Sequence, residues 1–404
     1  MKSKIAKLVV ALCLAGFVPS SFVCAQEKSD TSATVSKESQ LKYKGQLITW
    51  VNFSSGSASP WLVGARYLPQ LEFETIPKTT KQSAGAFSGL RFGFEVAANI
   101  YGSGSFDRSG NSQWSANAKL YRGWAKIATD KAEIRVGLQK INFGSAMMLR
   151  PLMWFDKIDP RDPFQLTDGV WGALGRYYFE NNANIWIWGL YGNDGQRPWD
   201  IGTTASKSIE FGGRVQLPLA SGEMGFTFHR RIAGPPIFMS TMNRTPENRF
   251  GFDIKLDYVI GFWAEAAWIN KRIYTGNLTN QEMITLGADY TFGIGNGLNV
   301  TAEHMLLSND LKPFEFANRI NLTAFSAGYP IGLFDSINYM FYYDWKNKGV
   351  YNFLRWKHTF GVGELYVMGF VNPETSVLPG SGGTGMQMAG KGFQIMFVMN
   401  HQTK

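Results

Sequence analysis

The densest set of side chains able to do chemistry lies between positions 150 and 162, where Arg150, Asp156, Lys157, Asp159, Arg161 and Asp162 are interleaved with Pro151 and Pro160. Fixed charges packed this closely act on ions. Set in a low-dielectric constriction, Arg150 and Arg161, joined by Arg122, Arg135, Arg176 and Arg214 from flanking segments, would favour anions. Asp156, Asp159 and Asp162 oppose that bias and can leave Arg161 paired, so the expected selectivity is weak and falls with salt. Catalysis is the competing chemistry. His401 stands in the tail and His358 between Trp356 and Phe360 near a strand end, so neither suggests a site. His304 sits on an apolar phase, and its nearest hydroxyl, Ser308, falls in a loop. His229 could face Asp253 or Asp257 as an acid–base pair or as a satisfied hydrogen bond. No Gly-x-Ser-x-Gly, His-Glu-x-x-His or phosphate-cradling loop occurs, and no catalytic residue, metal or cofactor is assigned.

The segments around this cluster alternate with period 2. Ala132, Ile134, Val136 and Leu138 alternate with Glu133, Arg135, Gly137 and Gln139, and a second such run begins near Val170. The connection between them, 142–169, is too long for a hairpin turn and too rich in large side chains for a linker, so it reads as a loop folded into a barrel mouth. From Leu41 onward about eighteen alternating segments recur, each roughly ten residues long as tilted membrane strands require. Their connections sort by parity. One set is tight (129–130, 181–182, 220–221, 260, 293–296, 330–333, 361) and the other long (54–61, 102–115, 142–169, 193–206, 233–247, 272–280, 308–317, 373–389), with exceptions at 76–88 and 346–348. A sandwich or propeller has no reason to sort its loops in this way. A closed antiparallel transmembrane β-barrel does, with short periplasmic turns and long outer loops.

With the apolar phase turned to lipid, the opposite phase carries charges in near balance along the whole chain, among them Glu72, Glu95, Glu265, Glu303 and Asp344. Soluble cores seldom hold so many, so an aqueous interior is expected, and many of the charges should brace the wall by pairing across strands. Tyr67, Tyr101, Trp124, Trp171, Tyr258, Trp268, Tyr290, Tyr343 and Trp356 are expected in interfacial girdles.

Residues 1–25 have the lysine-rich start, apolar run and Val23-Cys24-Ala25 end of a secretory signal peptide, and 26–40 read as a disordered polar leader. Both cysteines fall in the signal, so residues 41–404, the barrel, have no thiol chemistry. Removal of Lys2, Lys4 and Lys7 lowers the formal charge from +9 to 9 − 3 = +6, spread along strands without the basic cluster that nucleic-acid binding needs.

Arg135-Val136-Gly137-Leu138-Gln139, running on to Asn142-Phe143-Gly144 and then to Phe155-Asp156-Lys157-Ile158-Asp159-Pro160-Arg161-Asp162-Pro163, resembles the strand and loop of outer-membrane porins of the alginate-export type. The resemblance implies an eighteen-stranded barrel in the outer membrane that passes a solute passively. Lipid, lipopolysaccharide, the barrel-assembly machinery and a small hydrophilic solute are then the expected partners. An adhesin or structural anchor and a barrel lipase or protease are the alternative functions.

Overall fold

The computed structural model describes residues 40–75, 89–205, 207–234, 244–273, 275–374 and 388–402. Residues 1–39 of the signal and leader, and the long connection at 76–88, lie outside the described residues, while Gln40, read as the end of the leader, opens the first strand by pairing with Glu74. Eighteen strands form one antiparallel sheet. They are β1 (Gln40–Ser54), β2 (Trp61–Glu74), β3 (Arg91–Phe106), β4 (Ser112–Ala128), β5 (Ala132–Gln139) and β6 (Val170–Tyr178). Next come β7 (Asn184–Tyr191), β8 (Ile209–Leu219), β9 (Gly222–Ala233), β10 (Thr245–Asp257), β11 (Gly261–Lys271) and β12 (Asn280–Phe292). The last are β13 (Leu298–Asp310), β14 (Arg319–Ile331), β15 (Asp335–Asp344), β16 (Gly349–Thr359), β17 (Glu364–Val371) and β18 (Lys391–Gln402).

Each strand pairs with its sequence neighbours, and β1 pairs with both β2 and β18, so that Trp50 faces Gly64 on one side and Met396 on the other. That second pairing closes the barrel and removes the free edge at which another chain could add. Both ends of the described chain stand at the rim of short turns, opposite the rim that carries the long loops.

The alternation read from the sequence sets the two faces. Ile134, Val136, Ile187, Ile209, Phe226 and Leu286 are exposed on the outside, whereas Glu265, Arg231, Arg249 and Glu303 are buried inside. Trp171, Tyr258, Tyr290 and Trp356 are exposed outward, as a girdle requires. Trp124 is not. Its ring lies under the Arg135 guanidinium, 4.3 Å from centroid to Cζ, on the inward phase it shares with Arg122 and Lys126. Tyr101 likewise lies beside inward Arg66, at 5.5 Å. A bulge explains part of this: Ala97 pairs with Arg122 and Ala98 with Leu120, so Tyr121 is an extra residue and the phase of β4 flips there.

Some connections are shorter than the pattern suggested. The loop expected at 102–115 shrinks to 107–111, because Gly102 to Phe106 pair with Ser112 to Ala116. Alternating Ser and Gly hide a strand from an apolar count. Ser308, expected in a loop, is the buried third-last residue of β13 and bonds to Asp310 at 2.5 Å. Asp344, assigned to the lumen wall, caps the tight turn after β15 by accepting the Lys346 and Asn347 N–H groups at 2.9 and 3.1 Å.

Candidate functional site

The connection from β5 to β6, residues 140–169, folds against the inner wall. Its apolar residues lead it there. Ile141, Phe143, Leu149, Leu152, Trp154 and Phe155 are buried in one cluster with Trp188, Met283, Met305, Tyr342 and Phe353, which face inward from β7, β12, β13, β15 and β16. Burying such residues stabilises the docked loop by about 1.5–3 kcal/mol each before ordering costs are counted.

Two wall carboxylates fix the backbone of the arm. Glu303 accepts the N–H groups of Met147, Met148 and Leu149 at 2.6, 3.0 and 2.6 Å, and the Trp263 indole N–H at 2.9 Å. Glu265 accepts the Ala146 and Leu152 N–H groups at 2.9 and 2.6 Å. Neither has an ion-pair partner within 4.0 Å among the described residues, so backbone dipoles do the compensating. The spacing of 146–149 and 152 carries no motif that names these partners; a nest of amides exists only once the loop is folded.

A second loop, 192–208, also enters. Trp199 donates its indole N–H to the Arg150 carbonyl at 2.8 Å, and Asp200 binds Arg231 and Arg249 at 2.7 and 2.6 Å. These two guanidinium groups outweigh the burial that works against its charge and hold the Asp200 carboxyl below its ordinary value. Arg197 pairs with Glu210 at 3.1 Å. Glu210, rather than Asp253 or Asp257, is also the partner of His229, at 3.1 Å. The Trp188 indole, which can only donate, meets the other ring nitrogen of His229 at 3.2 Å, so Nε2 carries the proton toward Glu210. Both ring nitrogens are thereby occupied by structural partners.

The charged residues singled out in the sequence separate into three groups. Arg150 is buried and holds both oxygens of Asp156, at 2.7 and 3.3 Å, beside the Phe143 carbonyl. Burial works against its charge, and Asp156 more than offsets this, lifting the guanidinium above its ordinary value. Arg161 forks onto Asp159 at 2.9 and 2.6 Å, and Arg214 onto Asp253 at 2.5 and 2.9 Å. These three pairs brace loop and wall.

In a second group, guanidinium groups lie over aromatic rings along one arc of the wall: Arg122 over Tyr121 at 4.0 Å, Arg135 over Trp124 at 4.3 Å and Arg176 over Trp186 at 4.0 Å. Arg122 also donates to the Thr167 carbonyl at 3.0 Å and so ties the end of the loop to β4. Glu133 serves both Arg135 and Arg176, at 3.0 and 3.9 Å. The residues Arg135-x-Gly137-x-Gln139 are explained by this packing. Gly137 has φ +123°, and a Cβ there would stand 2.2 Å from the Gly123 carbonyl. Gln139 is buried and donates to the carbonyls of Arg135 and Gly172, at 3.2 and 3.1 Å, where the loop leaves the sheet.

The third group has weaker ties. Lys157 has no ion-pair partner within 4.0 Å among the described residues. Asp162 accepts the Phe164 and Leu166 N–H groups at 3.0 and 3.3 Å, and burial raises its pKa above the ordinary carboxylate value.

The architecture now has counterparts. OccK9 (OpdG) of Pseudomonas aeruginosa superposes with a TM-score of 0.57 at 7% identity, over 90% of this chain and 98% of its own. OccAB1 of Acinetobacter baumannii gives 0.55 at 10% identity, over 91% and 97%. The chain shares the fold of these Occ proteins. OccAB4 of Acinetobacter baumannii repeats the result, with a TM-score of 0.53 at 11% identity over 91% of this chain and 98% of its own. At such identities the likeness is one of fold, and it extends over nearly the whole of each chain. No family model and no curated protein matches the sequence.

Proposed function

We propose that this chain is an outer-membrane channel through which small hydrophilic solutes diffuse, with anions weakly favoured. One observation carries the reading: the 140–169 loop leaves the sheet beside the arc that bears Arg122, Arg135 and Arg176, and is fastened to β11 and β13 by Glu265 and Glu303. A loop that reaches from one part of the wall to another narrows the lumen, and the charges of the arc stand where it is attached. Arg150, Asp156, Lys157, Asp159, Arg161 and Asp162 form the rim of that narrowing in this reading, and Arg214 braces it from behind.

The apolar outer face and its aromatic belts support a place in the outer membrane, in contact with lipid and lipopolysaccharide and inserted by the barrel-assembly machinery. The signal peptide read at 1–25 supports export. The Arg135-to-Gln139 strand and the Phe155-to-Pro163 loop support a kinship with alginate-export-type porins, while the paired state of Arg150, Arg161 and Arg214 favours small solutes over a polyanion. Purified protein in a planar bilayer tests the reading. Stable conductance steps with a reversal potential displaced weakly toward anions are expected, and a folded protein that gives no steps overturns it.

A further inference from the structure

Below the loop, toward the rim of short turns, the inner wall of β1–β4 holds a cavity of about 480 Å³ that includes Lys42, Glu72, Arg91, Glu95, Trp124 and Lys126 in its lining. Glu72 of β2 pairs directly across strands with Glu95 of β3, an arrangement of like charges that opposes sheet formation. Lys44 neutralises Glu72 at 2.6 Å, and Lys126 is drawn away to Glu74 at 2.9 Å. Glu95 has no ion-pair partner within 4.0 Å among the described residues. The group opposite it on β4 is Trp124, whose indole N–H turns to the Glu95 carboxylate.

The same like-charge pairing occurs at Asp253 and Glu265, but there Arg214 binds Asp253 and two loop N–H groups bind Glu265, whereas no cation lies within 4.0 Å of Glu95 among the described residues. Here a carboxylate stands in the cavity beside an aromatic ring, with Lys42, Arg91 and Lys126 around it. A singly charged solute meets repulsion from one set or the other. A molecule carrying both signs meets attraction from both, the ammonium group at Glu95 and the anionic group at the neighbouring lysine and arginine side chains.

We infer that this cavity is a subsite for small dipolar solutes, those with a primary ammonium and an anionic group in one molecule, held by Glu95 at the ammonium end. The inference rests on the channel reading above and specifies a solute class within it. The test is uptake of radiolabelled solutes into vesicles containing the full-length protein, at concentrations where uptake rises linearly. Arabinose reports the channel itself. Glycylglycine is compared with N-acetylglycylglycine, an anion, and glycylglycinamide, a cation.

Glycylglycine should enter faster than both relatives by about three- to tenfold, the effect of one half-buried ion pair. Glu95→Gln should remove that advantage while arabinose uptake is unchanged. Should Glu95→Gln fail to fold, Trp124→Phe, which removes the indole N–H and keeps the ring, should reduce the advantage. Equal entry of the three peptides beside normal arabinose uptake overturns the subsite and leaves the channel standing. An advantage that persists in the folded variant overturns the assignment to Glu95. No uptake of arabinose overturns both readings.

Discussion

Replacing Glu303 by Ala puts the reading of the loop at risk most directly. Four donors converge on this one buried carboxylate: three consecutive backbone N–H groups of the loop and the Trp263 indole. Hydrogen bonds to a charged acceptor contribute about 1.5–3 kcal/mol each, and bonds sharing one acceptor do not add independently. Taking about 3 kcal/mol for the group, the ratio of docked to released 146–149 segment falls by roughly 100-fold. Glu265 still holds Ala146 and Leu152, and the apolar cluster still holds Trp154 and Phe155, so the arm loosens without leaving the barrel. In single-channel recordings the variant should show larger steps and frequent flicker between levels. Glu303→Gln, which keeps one acceptor oxygen, should fall between it and the parent protein. Gel mobility that still changes on boiling confirms that the barrel is folded. Steps and noise identical to the parent protein would mean that the 140–169 loop does not limit the current, and the account of the narrowing would be wrong.

Arg150→Ala with Arg161→Ala removes two cations and leaves Asp156 and Asp159 uncompensated, so the reversal potential in a salt gradient should move toward cations, less so at high salt. Arg214→Ala strands the buried Asp253 carboxylate and should cost about 3–5 kcal/mol, read as a lower temperature for loss of the folded gel band. The docked loop raises the Asp162 pKa, so docking takes up a proton. Its contribution is fully present below the pKa of the released loop and is lost as pH rises through the docked value. Current flicker should therefore decrease as pH is lowered, and Asp162→Asn should abolish that dependence. Asp200 has the opposite sign: its pKa is held down by Arg231 and Arg249, so its anchoring of the 192–208 loop is present above the ordinary carboxylate value and fails only below it. A flicker that grows on mild acidification would refute the Asp162 assignment.

What the sequence determined by itself is the wall. Period-2 alternation puts apolar side chains outward and charges inward on any strand of a barrel, whatever its neighbours are, and loop parity then orients all eighteen strands. The pattern erred where alternation was masked: at Gly102 to Phe106, whose small residues carry no apolar signal, and at Trp124, beyond a bulge that one extra residue creates. The tertiary structure alone decided what the inward charges do. Pairing depends on which strands and loops face each other across the lumen, and those partners are far apart in the chain: Glu303 meets Leu149, Arg214 meets Asp253, and His229 meets Glu210 rather than an aspartate of β10. Alternation is a property of one strand and can be read along it. Compensation of a buried charge is a property of the closed barrel, and it leaves no periodic trace.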